Sequence, residues 1–220
     1  MATSGTVTWR PEIAEIITEA YERCLVPPGG ITVQQVITAR RSLNLMFAEW
    51  SVRGINYWTT SEATLALVAS TRVYSLPAGT IDVLDAVVTR GGNDTTLTRL
   101  GLSDYSAITT KTTEGLPVQF FFDRQYTPQI YVWPVPENST DTITYWQFSQ
   151  MDDVTDSQQD ADIPYRWTEA MASGLAARLG LKTSSVDPTR LATLTSLAET
   201  AFDYAADEEG EKAALRIIPA

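Results

Sequence analysis

The stretch Gln119–Gln150, QFFFDRQYTPQIYVWPVPENSTDTITYWQFSQ, decides how the rest of the chain is read. It holds three apolar, aromatic-rich runs of strand length: Phe120 to Phe122, Ile130 to Val135 and Thr142 to Phe148. Thr127-Pro128 separates the first two and Pro136-Glu137-Asn138-Ser139 the last two. Turn-forming clusters between short alternating runs predict a β-meander. In the last run Ile143, Tyr145 and Gln147 fall on one face, and Thr144, Trp146 and Phe148 on the other. Helical periodicity flanks the stretch, before Tyr57 and after Asp162. The expected fold is therefore α+β: a four-helix bundle body with an inserted antiparallel β-rich segment and an extended C-terminal tail. In numbers this gives a helical body over 1–58 and 163–208, a β-rich insertion over 59–150, an acidic linker over 151–162 and a tail over 209–220.

Upstream, Pro11 opens a helix whose apolar stripe is Ile13, Ile16, Ile17, Ala20, Tyr21, Cys24 and Leu25, with glutamates on its other side. Pro27-Pro28-Gly29-Gly30 ends it. Thr32 and Gln35 make a capping box for a second helix reaching Gly54, with Val33, Val36, Ile37, Arg40, Leu43, Phe47 and Trp50 along one face. Arg40 and Arg41 interrupt that stripe; either they snorkel or pair with the first helix's glutamates, or they make an ion pair to another subunit or protein. Short strands are expected at Thr64 to Ala69, Arg72 to Leu76 and Ile81 to Thr89. Gly91-Gly92 allows Thr95 to Leu100 to pair back as a hairpin.

Downstream, MDDVTDSQQDAD at 151–162 carries five aspartates and no basic residue. It lacks the spacing and the final glutamate of a calcium loop, so composition predicts a hydrated linker. A third helix spans Pro164 to Leu181 with small residues through its middle, which predicts a central position among the helices. Asp187-Pro188 starts a fourth, with Leu191, Leu194, Ala198, Ala201, Phe202 and Ala205 on one face. The end, through Leu215, Arg216, Ile217 and Ile218, is apolar enough to need a covering surface.

Composition narrows the chemistry. There is no histidine among the 220 residues, which removes imidazole bases, Ser-His-Asp and Cys-His nucleophiles and His-ligated zinc. One cysteine, Cys24, permits no disulfide within the chain and fits folding in a reducing cytoplasm. No apolar run has membrane-spanning length and no signal-peptide pattern is present. The net charge of −11 is concentrated toward the C-terminal third, a balance that repels a phosphate backbone. No Gly-rich phosphate cradle and no ligand cluster occurs, so no cofactor, metal or catalytic residue is expected.

Several stretches in order carry a resemblance: Arg41 to Trp50, Tyr74 to Gly79 (YSLPAG), Lys111 to Pro117 (KTTEGLP), Ile130 to Pro136 (IYVWPVP), Tyr145 to Phe148 (YWQF), Ile163 to Ala170 (IPYRWTEA) and Glu211 to Pro219. Together they resemble the head-to-tail adaptor (connector or gatekeeper) proteins of tailed bacteriophages, of the short-tailed type. The resemblance implies a structural virion protein, made in the host cytoplasm and placed at the head–tail junction. It implies a dodecameric ring under the portal protein, contacts with a tail or nozzle protein, and double-stranded DNA passing without sequence-specific binding. It also implies that Leu215, Arg216, Ile217 and Ile218 reach a portal or neighbouring subunit, and that Arg40, Arg41 and Arg53 make ion pairs between subunits. A second reading, from another class, is a glycan-binding or glycan-cleaving protein. In that reading Tyr131, Trp133, Tyr145 and Trp146 form a stacking platform, and Asp123, Glu137 or Asp141 supply paired carboxylates. Against it stand core packing for the aromatics and solvated turns for the acids.

Overall fold

A computed structural model describes residues 5, 9–54 and 57–209. Its elements are α1 (Ile13–Arg23), α2 (Val33–Arg53), β1 (Thr60–Ala66), β2 (Val73–Ser75), β3 (Thr80–Arg90), β4 (Asn93–Thr96) and β5 (Thr98–Leu100). These are followed by α3 (Leu102–Ala107), β6 (Glu114–Gly115), β7 (Gln119–Asp123), β8 (Gln129–Trp133), β9 (Val135–Pro136), β10 (Thr142–Ser149), α4 (Thr168–Gly180) and α5 (Pro188–Glu209). Contacts divide the described chain into a helical unit, up to Trp58 and from Met151 on, and a β unit, Thr59–Gln150.

The four-helix bundle body with an antiparallel insertion is corrected by this architecture, which is mixed α and β. Five α-helices and ten strands occur among the described residues, and one helix, α3, belongs to the β unit. Two of the strand pairs, β5–β7 and β6–β9, are parallel. Within the helical unit α1, α2 and α5 share one core, and each packs chiefly on α4. The reason lies in α4 itself, where Ala170, Ala172, Ser173, Gly174, Ala176 and Ala177 keep side chains short on every side. A Cβ added at Gly174 would meet the Met46 sulfur at 2.7 Å, so α2 lies against bare backbone there. Helical periodicity counts helices but does not tell which of them touch.

In the helical unit, Thr32 caps α2 as a reciprocal box: its hydroxyl accepts from the Gln35 amide at 3.3 Å, and Gln35 accepts from the Thr32 amide at 2.7 Å. Gly54, at φ 69°, ends the helix in the left-handed region. α1 buries Ile13, Ile16, Ile17, Ala20 and Tyr21. Leu25 leaves the expected stripe, since the helix has already ended and Leu25 is exposed at φ 63°. Val33 is likewise exposed, while Ala39, Ser42 and Met46 take places on the buried face of α2. Residues 151–162, acidic as they are, run along this unit. Ile13 and Ala14 donate to the carbonyls of Gln159 and Ser157 at 2.9 and 2.7 Å, which supplies the open end of α1 with acceptors. Asn44 of α2 binds both the amide and the carbonyl of Val154, and Met151 and Val154 are buried. An aromatic group of Phe47, Trp50, Trp58, Trp167 and Phe202 fills the centre of the unit.

The β unit corrects the meander. β7 and β8 do pair as a hairpin, but β10 leaves them and lies between β1 and β3 in a second sheet, of order β1-β10-β3-β4. β8 and β7 belong to the sheet β2-β8-β7-β5. Proline lacks an amide donor, and Pro134 and Pro136 interrupt the ladder so that β9 pairs with β6 and the chain crosses to the other sheet. The facing within β10 also changes along its length. A register shift between Trp146 and Gln147 moves Phe148 to the buried side, joining Ile143 and Tyr145. The β3–β4 hairpin turns on Gly91 and Gly92, at φ 58° and 81°, the positive angles that a two-residue turn requires. Leu67, Val83, Ala86, Phe120, Phe122, Ile130, Val132, Ile143 and Tyr145 form this unit's own core.

Candidate functional site

The aromatic side chains proposed for sugar stacking in the β unit form no shared platform, and of the proposed carboxylates only Glu137 and Asp141 come together, on Arg90. Tyr145 is buried in the core, whereas Trp146 faces the other side of β10. Tyr131 packs on Tyr105 and Phe121, with ring centres 5.4 and 5.7 Å away, and the Trp133 indole donates to the Thr110 carbonyl at 3.1 Å. No flat stacking platform results from these four residues. Among the carboxylates, Asp141 is buried and accepts from Arg90 at 2.6 and 2.9 Å, and Glu137 accepts from the same guanidinium at 2.6 Å. Asp123 accepts from Gln125 at 2.8 Å. Asp141 and Glu137 are thus committed to one structural arginine, which is held strongly protonated by Asp141 first and Glu137 second. Among the described residues no group of three His, Cys, Asp or Glu side chains is arranged to hold a metal, and no helix is long and apolar enough to cross a membrane.

The helical unit offers surface instead. Arg40 donates to the Thr155 carbonyl, tying α2 to the 151–162 segment, and its Nε is buried without a partner among the described residues. Arg53 pairs with Glu49 one turn back and lies 4.5 Å from the centre of the Phe202 ring; Glu49 also accepts from Arg178. Arg41 differs from both: it is exposed and has no ion pair or hydrogen bond among the described residues. Leu215, Arg216, Ile217 and Ile218 lie outside the described residues.

Two ionic clamps fix the helices around α4. Arg23 of α1 donates to both oxygens of Glu169 at 2.7 and 3.0 Å and to the Ser173 hydroxyl at 2.8 Å. The Arg23 bond lowers the Glu169 carboxyl below the usual range, with partial burial opposing it, and raises the guanidinium in return. At the far end of α5, Glu209 accepts from Arg166 at two 2.6 Å bonds and from the Trp167 indole at 3.1 Å. Burial works against charge on Glu209, and Arg166 and Trp167 together outweigh it, so its carboxyl is also lowered. Between α2, α4 and α5 runs a groove of about 330 Å³, floored by Ala170, Gly174 and Ala177 and rimmed by Glu49, Arg53, Arg178 and Glu199.

Reading only the core side of each helix misses four side chains on the outer side. Leu45 and Val52 on α2, and Leu197 and Tyr204 on α5, are large, apolar or aromatic, and exposed. The signal was present in the sequence as a second periodic stripe on each helix.

These features define a mixed α/β protein whose distinctive residues sit on helix surfaces, as in a protein that joins other proteins. A family model described as SU10 adaptor protein matches residues 12–217, and the chain belongs to that family. It is a phage adaptor, a structural protein. No curated protein matches the chain.

Proposed function

We propose that this chain is the head-to-tail adaptor of a short-tailed phage. Twelve copies form a ring beneath the portal protein, join capsid to tail and line the channel through which double-stranded DNA is packaged and ejected. The observation that carries the reading is the family match, which spans 12–217 and so takes in both units rather than a fragment of one. The chain's charge of −11 suits a channel wall that DNA passes without adhering, since phosphate contacts would hold it back. In this reading the helical unit meets neighbouring copies, and Leu215, Arg216, Ile217 and Ile218 anchor the tail, 209–220, on portal or neighbour. The β unit faces the tail or nozzle protein. Arg40, Arg41 and Arg53 supply ion pairs between subunits, and Arg41, exposed and without an ion pair among the described residues, is the best placed of the three.

Mass measurement under native conditions, on the purified chain alone and mixed with the cognate portal protein, tests this. A particle of twelve chains bound to portal is expected. A chain that stays monomeric and unbound in the presence of portal overturns the reading.

A further inference from the structure

The helical unit leaves two helix faces uncovered, and their residues match. On α2 the side away from the core carries Arg41, Leu45, Ala48 and Val52, spaced four, three and four residues apart. All four are exposed, Leu45 by 58% and Val52 by 88%. On α5 Thr193, Leu197, Thr200 and Tyr204 repeat that spacing and are also exposed, Leu197 by 52% and Tyr204 by 73%. The Thr193 and Thr200 hydroxyls donate to the carbonyls of Thr189 and Ser196, so they are already satisfied within the helix. α5 fully buries only Leu194 and Ala205 of its 22 residues, with Ala201, Phe202 and Ala206 partly buried beside them, so its outer side is left open. Arg41 is the one charged residue among these eight, in a chain of net charge −11. A four-three-four apolar spacing is the seam along which one helix packs on another.

We infer that these two faces meet between neighbouring copies, the α2 seam of one lying on the α5 seam of the next. The inference rests on the ring reading above and gives that ring its contact. Charge selects a second copy as the occupant: α2 carries three arginines against one glutamate, and α5 one arginine against five acids. Direction selects the relative orientation of the two seams. Along α2 and α4, Ser42 meets Lys182, Met46 approaches Gly174 and Trp50 meets Trp167, so the two helices are antiparallel. Along α4 and α5, Gly180 lies by Leu191 and Leu194 while Trp167 meets Phe202 and Glu209, again antiparallel. α2 and α5 of one copy therefore run the same way. Neighbours in a twelve-membered ring differ by a rotation of about 30°, too little to reverse a helix, so the seams meet in parallel. Leu45 then packs on Leu197, Ala48 on Thr200 and Val52 on Tyr204, with Arg41 at the edge beside Thr193. The contact joins two different surfaces, so it is head-to-tail and propagates until a ring closes.

Paired cysteines test the register on the full-length chain mixed with the cognate portal protein. Native Cys24 is fully buried and does not interfere. Under mild oxidation the Leu45→Cys/Leu197→Cys variant is expected to give a ladder of linked chains beyond the dimer, and Val52→Cys/Thr193→Cys is not. Linkage in the second variant alone signals antiparallel seams and overturns the inference. Assembly seen by native mass with neither pair linking also overturns it, while leaving the ring intact. A wild-type chain that never assembles removes the ring reading and this contact together. As a second measure, Val52→Asp and Leu197→Asp should each raise the concentration for half-assembly about tenfold or more with helix content unchanged. Unchanged assembly in both refutes the contact.

Discussion

Trp167 is the residue whose loss should be felt most in the helical unit. It is fully buried, and the rings of Trp50, Trp58 and Phe202 lie 5.1, 5.5 and 5.5 Å from it. These neighbours come from α2, from the residues just after it and from α5, so Trp167 packs at once on most of what surrounds the start of α4. Trp167→Ala removes the largest fully buried side chain among the described residues and leaves a cavity that rigid aromatic neighbours fill poorly, a cost of about 3–5 kcal/mol. Trp167→Phe keeps most of the packing but loses the indole bond to Glu209. Since Arg166 still holds that carboxylate with two bonds, the cost should sit near the low end for a bond to a charged group, about 1.5 kcal/mol. Urea unfolding followed by helical circular dichroism measures both, read as a shift of midpoint at constant slope. The order wild type, Phe, Ala is expected. An alanine variant destabilised by less than about 1 kcal/mol would refute the claim that this aromatic group organises the helices.

Acid should loosen the helical unit by way of Glu169 and Glu209. Both carboxyls are lowered in the folded chain, so their contribution is complete above the unfolded carboxylate value and disappears as pH falls through the folded one; a melting temperature that declines below about pH 4.5, and less steeply in Glu169→Gln, is expected. Tyr74→Phe should cost about 1–2 kcal/mol, because the hydroxyl accepts the Val68 amide at 3.0 Å and donates to the Thr71 carbonyl at 2.9 Å; faster hydrogen exchange at Val68 is the sign to look for. Gly92→Ala meets no atom within 4 Å yet sits at φ 81°, so about 1 kcal/mol of purely conformational cost should appear in thermal unfolding, with the sheet unchanged by spectroscopy.

How far the fold could be read from the sequence depended on how local each determinant was. The Thr32–Gln35 box, the Asp187-Pro188 start and the Gly91-Gly92 turn are each decided by two or three neighbouring residues, and all three stand where the sequence puts them. The period-two runs around 119–150 are strands too. Their partners were not legible, because pairing depends on chain crossings that no window of a few residues contains. Thr98–Leu100 illustrates the difficulty. It follows a hairpin directly and looks like the end of β4's pairing, yet it runs parallel to β7 in the other sheet. Leu97 marks the switch, buried between two strands that serve different sheets.

The helical half teaches a narrower lesson about stripes. Reading α2 for its most apolar side assigned Val33 and Arg40 to the core face and passed over Ala39, Ser42 and Met46. Small and polar residues carry little hydrophobic signal, but against α4, itself built of Ala, Ser and Gly, they are what allows two backbones to approach. A close helix pair therefore looks weakly amphipathic in sequence, and its apolar surplus is left for the opposite side. That is where Leu45 and Val52 stand, and where Leu197 and Tyr204 stand on α5. A helix pair that meets over small residues and keeps some large ones on its outer side packs closely within the subunit and still offers apolar surface beyond it. In the ring proposed above, that outward apolar surface is what neighbouring copies cover.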